Sequence, residues 1–130
     1  MKKTLILLQL VLFGCLSFQA SFILAKENKK VTHVVMVWLK ESGNVQQREA
    51  FIKASEQLND LPGIVNRHVG IVLPSDRKIV DDTFDVAVSV TMESEEALKA
   101  YLKNPKHKKI LHDKIKPLIN RTVAYDFISQ

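Results

Sequence analysis

Four segments of the chain predict β-strands, either by alternation of apolar and polar residues with a period of two or by a short run rich in β-branched residues. The segments are residues 31–39, 64–73, 83–92 and 122–128. The alternation is clearest in the third, where Phe84 and every second residue after it are apolar as far as Met92. The first segment is apolar on both faces and rich in β-branched residues, which is typical of a central strand.

Between these strands the apolar residues recur at intervals of three and four, which predicts amphipathic helices. The first helix is expected over 45–59 and is ended by Leu-Pro-Gly at 61–63. The second begins after Ser94, a good N-cap residue, and ends just before Pro105. A further helical piece over 106–119 precedes the last strand.

The predicted order of elements is therefore β-α-β-β-α-β, with an extra helical piece before the last strand. This order predicts an α+β fold of the ferredoxin-like type, in which a four-stranded antiparallel sheet carries its helices on one face. The other face would be bare, and on the third strand it would carry Asp85, Ala87, Ser89 and Thr91. Because such a face generally needs a partner, we expect a homodimer in which two copies stack their sheets about a two-fold axis.

Residues 1–25 have the layout of a secretory signal peptide, with two lysines, a long apolar stretch and Ala25 before a polar segment. We therefore expect an exported protein, periplasmic or secreted, with the folded domain over 30–129. Two alternatives remain open. Cys15 in Leu-Phe-Gly-Cys is a candidate for lipidation. Alternatively the whole segment stays attached as a membrane anchor, since about 20 apolar residues span a bilayer.

Charge and motifs narrow the function classes. Loss of residues 1–25 would remove two lysines and leave 17 basic against 14 acidic residues, a net charge of +3. The lysines concentrate in residues 103–116 with little aromatic interleaving, which indicates a solvated helix face and no nucleic-acid partner. Cys15 is the only cysteine, so the folded domain has no disulfide. No zinc-binding motif and no glycine-rich phosphate loop is present, so we predict neither a metal nor a cofactor.

Four stretches between His33 and Phe127 carry a family resemblance. They are THVVMVWLK at the start, LPGI after the first helix, FDVAVSVTMESEEALKAYLKNPKH with its terminal Pro-x-His, and YDF near the end. Together they resemble the stress-responsive α/β barrel (Dabb) domain family, of the dimeric α+β barrel superfamily. The resemblance implies a ferredoxin-fold dimer whose two sheets form an α/β barrel.

The resemblance also implies site residues. One relative in the family is a plant polyketide cyclase that forms olivetolic acid, in which a Tyr-x5-His pair polarises a carbonyl and moves a proton. The matching positions here are Tyr101 and His107, and His33 matches a histidine on the first strand. This chain departs from the pattern at two positions: Asn104 replaces the first histidine of the usual His-Pro-x-His, and Val86 replaces a pocket histidine of the cyclase.

The residues themselves leave two interpretations open. His107 has an ordinary pKa near 6.5 that suits acid–base work, or it packs against a neighbouring helix. Tyr101 is predicted to turn its ring inward, as a core aromatic or as a site residue, and His33 shares an apolar strand face directed toward the helices. If the three meet, they would form the polar part of an apolar ligand pocket. Its predicted walls are Val35, Phe51, Val86 and Val88.

Three functions are consistent with these residues. The first is binding of a small apolar molecule in that pocket without catalysis. The second is a cofactor-free cyclase or lyase, in which Tyr101 donates a hydrogen bond to a carbonyl and His107 moves a proton. The third rests on fold analogy alone: a haem-degrading monooxygenase with His33 or His107 as the axial ligand.

Overall fold

The computed structural model of the protein describes residues 29–130. Strands and helices follow one another in the predicted order, with two irregular turns before the last strand. They are β1 (Val31–Leu39), α1 (Val45–Glu56), β2 (Ile64–Ile71), β3 (Val86–Met92), α2 (Glu95–Lys103), α3 (Pro105–Ile110), a π-helical turn (Leu111–Ile115), a 3-10 turn (Lys116–Leu118) and β4 (Ile119–Ile128). The predicted ferredoxin-like fold class is confirmed.

The expected signal peptide, anchor or lipidation site lies outside the described residues. Within residues 29–130, no helix combines the length and the apolar character needed to cross a bilayer.

All four strands form one antiparallel sheet in the order β2-β3-β1-β4. β1 therefore lies between two neighbours, as its apolar faces predicted. The register places His33 opposite Val90 of β3 on one side and opposite Asp126 of β4 on the other. Since paired residues of an antiparallel sheet project from the same face, these three side chains share the helix-covered face.

The core lies between that face and the helices. In β3, Val86, Val88, Val90 and Met92 are buried, whereas the residues between them are half-buried on the other face. The alternation predicted for this strand is confirmed. From α1, Phe51 and Ala54 pack into the same core.

The prediction that Asp85 lies on the bare sheet face is wrong. β3 begins one residue later, and Asp85 is only 3% exposed. Its carboxylate accepts hydrogen bonds from the N–H groups of Leu39 (2.8 Å) and Gly43 (2.7 Å) and from the hydroxyl of Ser42 (3.1 Å). A buried carboxylate requires such donors, so Asp85 closes the loop between β1 and α1.

Asn104 fixes the break between α2 and α3. α2 ends before Pro105, which is the first residue of α3, a position where its missing N–H costs nothing. The side-chain oxygen of Asn104 accepts from the backbone N–H of Lys106 (2.8 Å) and of His107 (3.4 Å). The residue that departs from the family pattern is thus the N-cap of the helix that carries His107.

The face of the sheet opposite the helices is called the open sheet face here, and it carries the even-numbered residues of β1 and their partners on β4. Tyr125 and Phe127 on this face are 60% and 54% exposed. The guanidinium of Arg121 lies 4.4 Å from the centre of the Trp38 ring. This face therefore exposes aromatic surface next to a cation–π pair.

Candidate functional site

A cavity of about 260 Å³ lies between the helix-covered face of the sheet and the helices. Residues from all four strands, from α1, α2 and α3, and from the turns that follow α3 form its wall, which is mostly apolar. Exposed residues, among them Leu102 and Lys116, form part of the lining, so this margin of the cavity is accessible from solvent.

Three of the four predicted wall residues, Val35, Phe51 and Val88, line the cavity. Val86 does not, and the prediction for it is corrected. It is the first residue of β3, and it pairs with Val37 and Ile71 of the flanking strands. It is 0% exposed, because it is enclosed in the core beside the cavity.

The three predicted polar residues, Tyr101, His107 and His33, all line this cavity. The rings of Tyr101 and His107 are in contact, with centroids 4.4 Å apart and planes inclined by 55°. Their exposed fractions are only 4% and 7%. The contact joins the rings rather than their polar atoms, and the tyrosine hydroxyl instead accepts a hydrogen bond from the Arg67 side chain.

His107 is held as a neutral imidazole. Burial lowers its pKa, and the positive charges of His33 and Arg67 lower it further. Its Nδ1 atom is buried and has no hydrogen-bond partner among residues 29–130. A neutral imidazole near pH 7 accepts a proton, so His107 has the protonation state of a general base.

Tyr101 is held as a neutral phenol. Burial raises its pKa, and the nearby Arg67 guanidinium offsets part of this effect. The hydroxyl therefore keeps its proton at neutral pH and is a hydrogen-bond donor. A donor and a proton acceptor thus lie side by side at one cavity.

His33 is oriented by a residue that sequence reasoning did not identify. Its Nδ1 atom lies 2.5 Å from Oδ1 of Asp126, its cross-strand partner on β4. An ionised carboxylate only accepts hydrogen bonds, so Nδ1 of His33 is the donor in this contact. The pair depends on strand register, which the sequence pattern alone does not give.

Arg67 and Ser55 are two further polar cavity residues that were not predicted. Nη1 of Arg67 donates to Oδ1 of Asn59 at 2.8 Å, and Nη2 donates to the hydroxyl of Ser55. Nε of Arg67 is buried without a partner among the described residues. One signal was available in the sequence: Arg67 shares its strand face with Val69, which packs against the core.

The described part of the chain offers no cluster of metal ligands. Among residues 29–130, no group of three or more His, Cys, Asp or Glu side chains can hold a metal ion. No step is assigned to His33 or His107 as axial ligands of a haem.

Comparisons with known proteins agree with this architecture. Residues 31–129 match the model of the stress responsive A/B barrel domain family. A dimeric ferredoxin-like protein of unknown function from Thermobifida fusca is 23% identical with a TM-score of 0.64, over 79% of this chain and 93% of its own. A Dabb family protein from Mesorhizobium loti is 17% identical with a TM-score of 0.65, over 79% and 99%.

Hydroxynitrile lyase from Passiflora edulis has a similar fold, with 19% identity and a TM-score of 0.67, over 78% of this chain and 94% of its own. No curated protein sequence matches the chain significantly. At these identities the likeness to solved structures shows the fold alone. The family model, in contrast, covers nearly all of the described residues, and the protein belongs to the stress responsive A/B barrel domain family.

Proposed function

We propose that the protein binds a small, largely apolar molecule in the cavity between its sheet and its helices. The observation that carries the proposal is the convergence of Tyr101, His107 and His33 on one mostly apolar cavity. Apolar walls with a few oriented polar groups are typical of small-molecule sites. Access would be at the margin that contains Leu102 and Lys116.

The polar groups define what the bound molecule needs. Tyr101 is a donor, so it suits a carbonyl or similar oxygen, while the neutral His107 suits a group that gives up a proton. The cavity, at about 260 Å³, is slightly below the range of pockets for drug-sized ligands, so the molecule is smaller than these.

The binding site is tested by a thermal-shift screen of small aromatic and aliphatic carbonyl compounds. The wild type, His107→Ala and His112→Ala are compared, because the His112 side chain is 80% exposed and does not line the cavity. Compounds that stabilise the wild type should stabilise His112→Ala equally and His107→Ala less. Equal stabilisation of all three proteins would remove His107 from the binding site.

A second candidate function is a cofactor-free lyase or cyclase. The observation that favours it is the contact between a neutral His107 and a protonated Tyr101, at 4.4 Å between ring centroids. The Passiflora edulis lyase of similar fold supports a test on cyanohydrins. His107 would take the hydroxyl proton, the C–C bond to the nitrile would break, and cyanide would leave as the carbonyl forms with Tyr101 hydrogen-bonded to its oxygen.

Catalysis is tested with mandelonitrile, by following the absorbance of benzaldehyde as it forms. We expect turnover that falls by about 100-fold or more in His107→Ala and by less in Tyr101→Phe. Turnover that is the same in the wild type, His107→Ala and buffer would restrict the protein to binding.

The proposal includes a homodimer formed through the open sheet face. The exposed rings of Tyr125 and Phe127 support it, as does the Thermobifida fusca protein, which is described as dimeric.

Export is also proposed, on the layout of residues 1–25. Mass determination of the protein recovered from cell fractions tests it, since cleavage after Ala25, lipidation of Cys15 and an uncleaved anchor give three different masses.

A further inference from the structure

We propose that the molecule bound in this cavity carries a carboxylate group and that Arg67 binds it. This inference rests on the proposed binding function and adds the chemical class of the ligand. Neither the sequence motifs nor the family match assigns a role to Arg67.

Arg67 is a half-buried cation on an apolar wall. It projects from β2 into the cavity lining, among the side chains that pack against the core. Its hydrogen bonds go to Asn59, Ser55 and Tyr101, which are all neutral. Its Nε atom is buried and has no partner among residues 29–130. The guanidinium therefore has N–H donors that the protein leaves unengaged.

The charge of Arg67 is also unpaired by the protein. The ion pairs formed within residues 29–130 join other residues, and none of them includes Arg67. Asp126, a carboxylate on the helix-covered face, is hydrogen-bonded to His33 and does not line the cavity. Removing a cation from water without an anionic partner is costly, and a ligand anion would supply that partner.

The position of Arg67 indicates where the carboxylate of the ligand would lie relative to Tyr101 and His107. Its charge acts to lower the pKa of His107 and opposes the larger effect of burial, which raises the pKa of Tyr101, so the guanidinium lies near both. A carboxylate on Arg67 would therefore lie at the polar end of the cavity, with the apolar body of the ligand against Phe51 and Leu58 of the α1 side. The planar guanidinium matches a carboxylate better than an ammonium group does.

Lys116 is the competing cation. It also lines the cavity, but at the exposed margin, where water screens its charge. The hydrogen bonds of Arg67 to Ser55 and Asn59 also allow a purely structural role, in which the side chain joins β2 to α1. The experiment below separates Arg67 as an anion site from both of these.

The test uses matched pairs of acids and amides: phenylacetate with phenylacetamide, and hexanoate with hexanamide, each titrated by calorimetry at neutral pH. The acid and the amide have nearly the same shape, so their affinity ratio reports the charge. We expect the wild type to bind the acid about 10- to 100-fold more tightly than the amide. This comparison needs no variant and stands even if substitutions at Arg67 unfold the protein.

The variants assign the preference to a residue. Arg67→Met should reduce the acid-to-amide ratio to about one, and Arg67→Lys should retain part of it. Arg77→Met is the matched control, since Arg77 is an exposed residue of the β2–β3 loop outside the cavity, and it should keep the wild-type ratio.

Three results would overturn the inference. Equal affinity of the wild type for acid and amide would refute the carboxylate and leave the binding function standing. Loss of the preference in Lys116→Met, with its retention in Arg67→Met, would move the anion to the cavity margin. Binding of neither member of either pair would refute the proposed binding function itself.

Discussion

The Asn104→Ala substitution tests whether the helix cap of α3 sets the state of His107. Asn104 accepts one good hydrogen bond, from Lys106 N–H at 2.8 Å, and one long bond, from His107 N–H at 3.4 Å. The first resembles an ordinary N-cap bond and the second adds little. We therefore expect the free energy of unfolding to fall by about 1 kcal/mol.

The effect of Asn104→Ala on the site is larger than its modest effect on stability suggests. α3 has only six residues, so loss of its cap allows the first turn, which contains His107, to fray. Fraying exposes the imidazole to water and removes the main cause of its lowered pKa, which is burial. The pKa of His107 should therefore rise toward its ordinary value, as measured by NMR titration of the ring protons.

Ser94→Ala is the matched control. Ser94 caps α2 in the same way, accepting from Ala97 N–H at 3.1 Å, and its loss should cost a similar amount of stability. It should not move the pKa of His107, because α2 does not carry that residue. An unchanged pKa in Asn104→Ala, or an equal rise in both variants, would refute the assignment of the cap as the device that holds His107.

Three further predictions follow from other features of the fold. Because the folded pKa of His107 lies below the unfolded value of 6.5, its contribution to stability is complete above pH 6.5 and is lost as pH falls below it. Denaturant unfolding between about pH 7 and about pH 5.5 should show this loss in the wild type and a smaller one in His107→Phe. In thermal unfolding, Gly63→Ala should lower the free energy of unfolding by about 1–3 kcal/mol more than Gly43→Ala does. Both glycines have positive φ (81° and 78°), so both substitutions strain the backbone. Only at Gly63 would the added Cβ also lie 2.8 Å from Cβ of Ala97. Phe127→Asp should shift the mass measured by light scattering toward that of the monomer. Ile79→Asp is the control, at a loop position that is 91% exposed, and it should leave the mass unchanged. An unchanged mass in Phe127→Asp would argue against a dimer through the open sheet face.

The element order was predictable because each element has its own local signal. The alternation in β3 and the Pro105 break could be read directly from the residues, and the structure confirms both. The boundaries were less predictable. α1 ends at Glu56 rather than at residue 59 because the next residues form turns with i→i−3 bonds. β3 starts at Val86 rather than at residue 83 because Asp85 is needed by the β1–α1 loop.

The site was only partly predictable, since its polar groups are joined by contacts distant in sequence. Tyr101 and His107 are close along the chain, and their meeting across the break could be anticipated. The pairing of His33 with Asp126 depends on the register of two strands 93 residues apart. Arg67 required knowledge of which face of β2 meets the helices, and its alternation with Val69 was the available clue.

The way in which these polar groups are held argues for a site rather than for an ordinary core. His107 is positioned by the cap of α3, His33 by Asp126, and Arg67 by Ser55 and Asn59. If the residues only filled space, leucine or phenylalanine would do so without desolvating a polar group or leaving Nδ1 of His107 and Nε of Arg67 unpaired. Separate supports, each fixing one polar side chain at the same cavity, form the kind of preorganised set that the proposed ligand binding requires. Under the proposed function, a bound molecule would offset the cost of burying these groups by completing their hydrogen bonds.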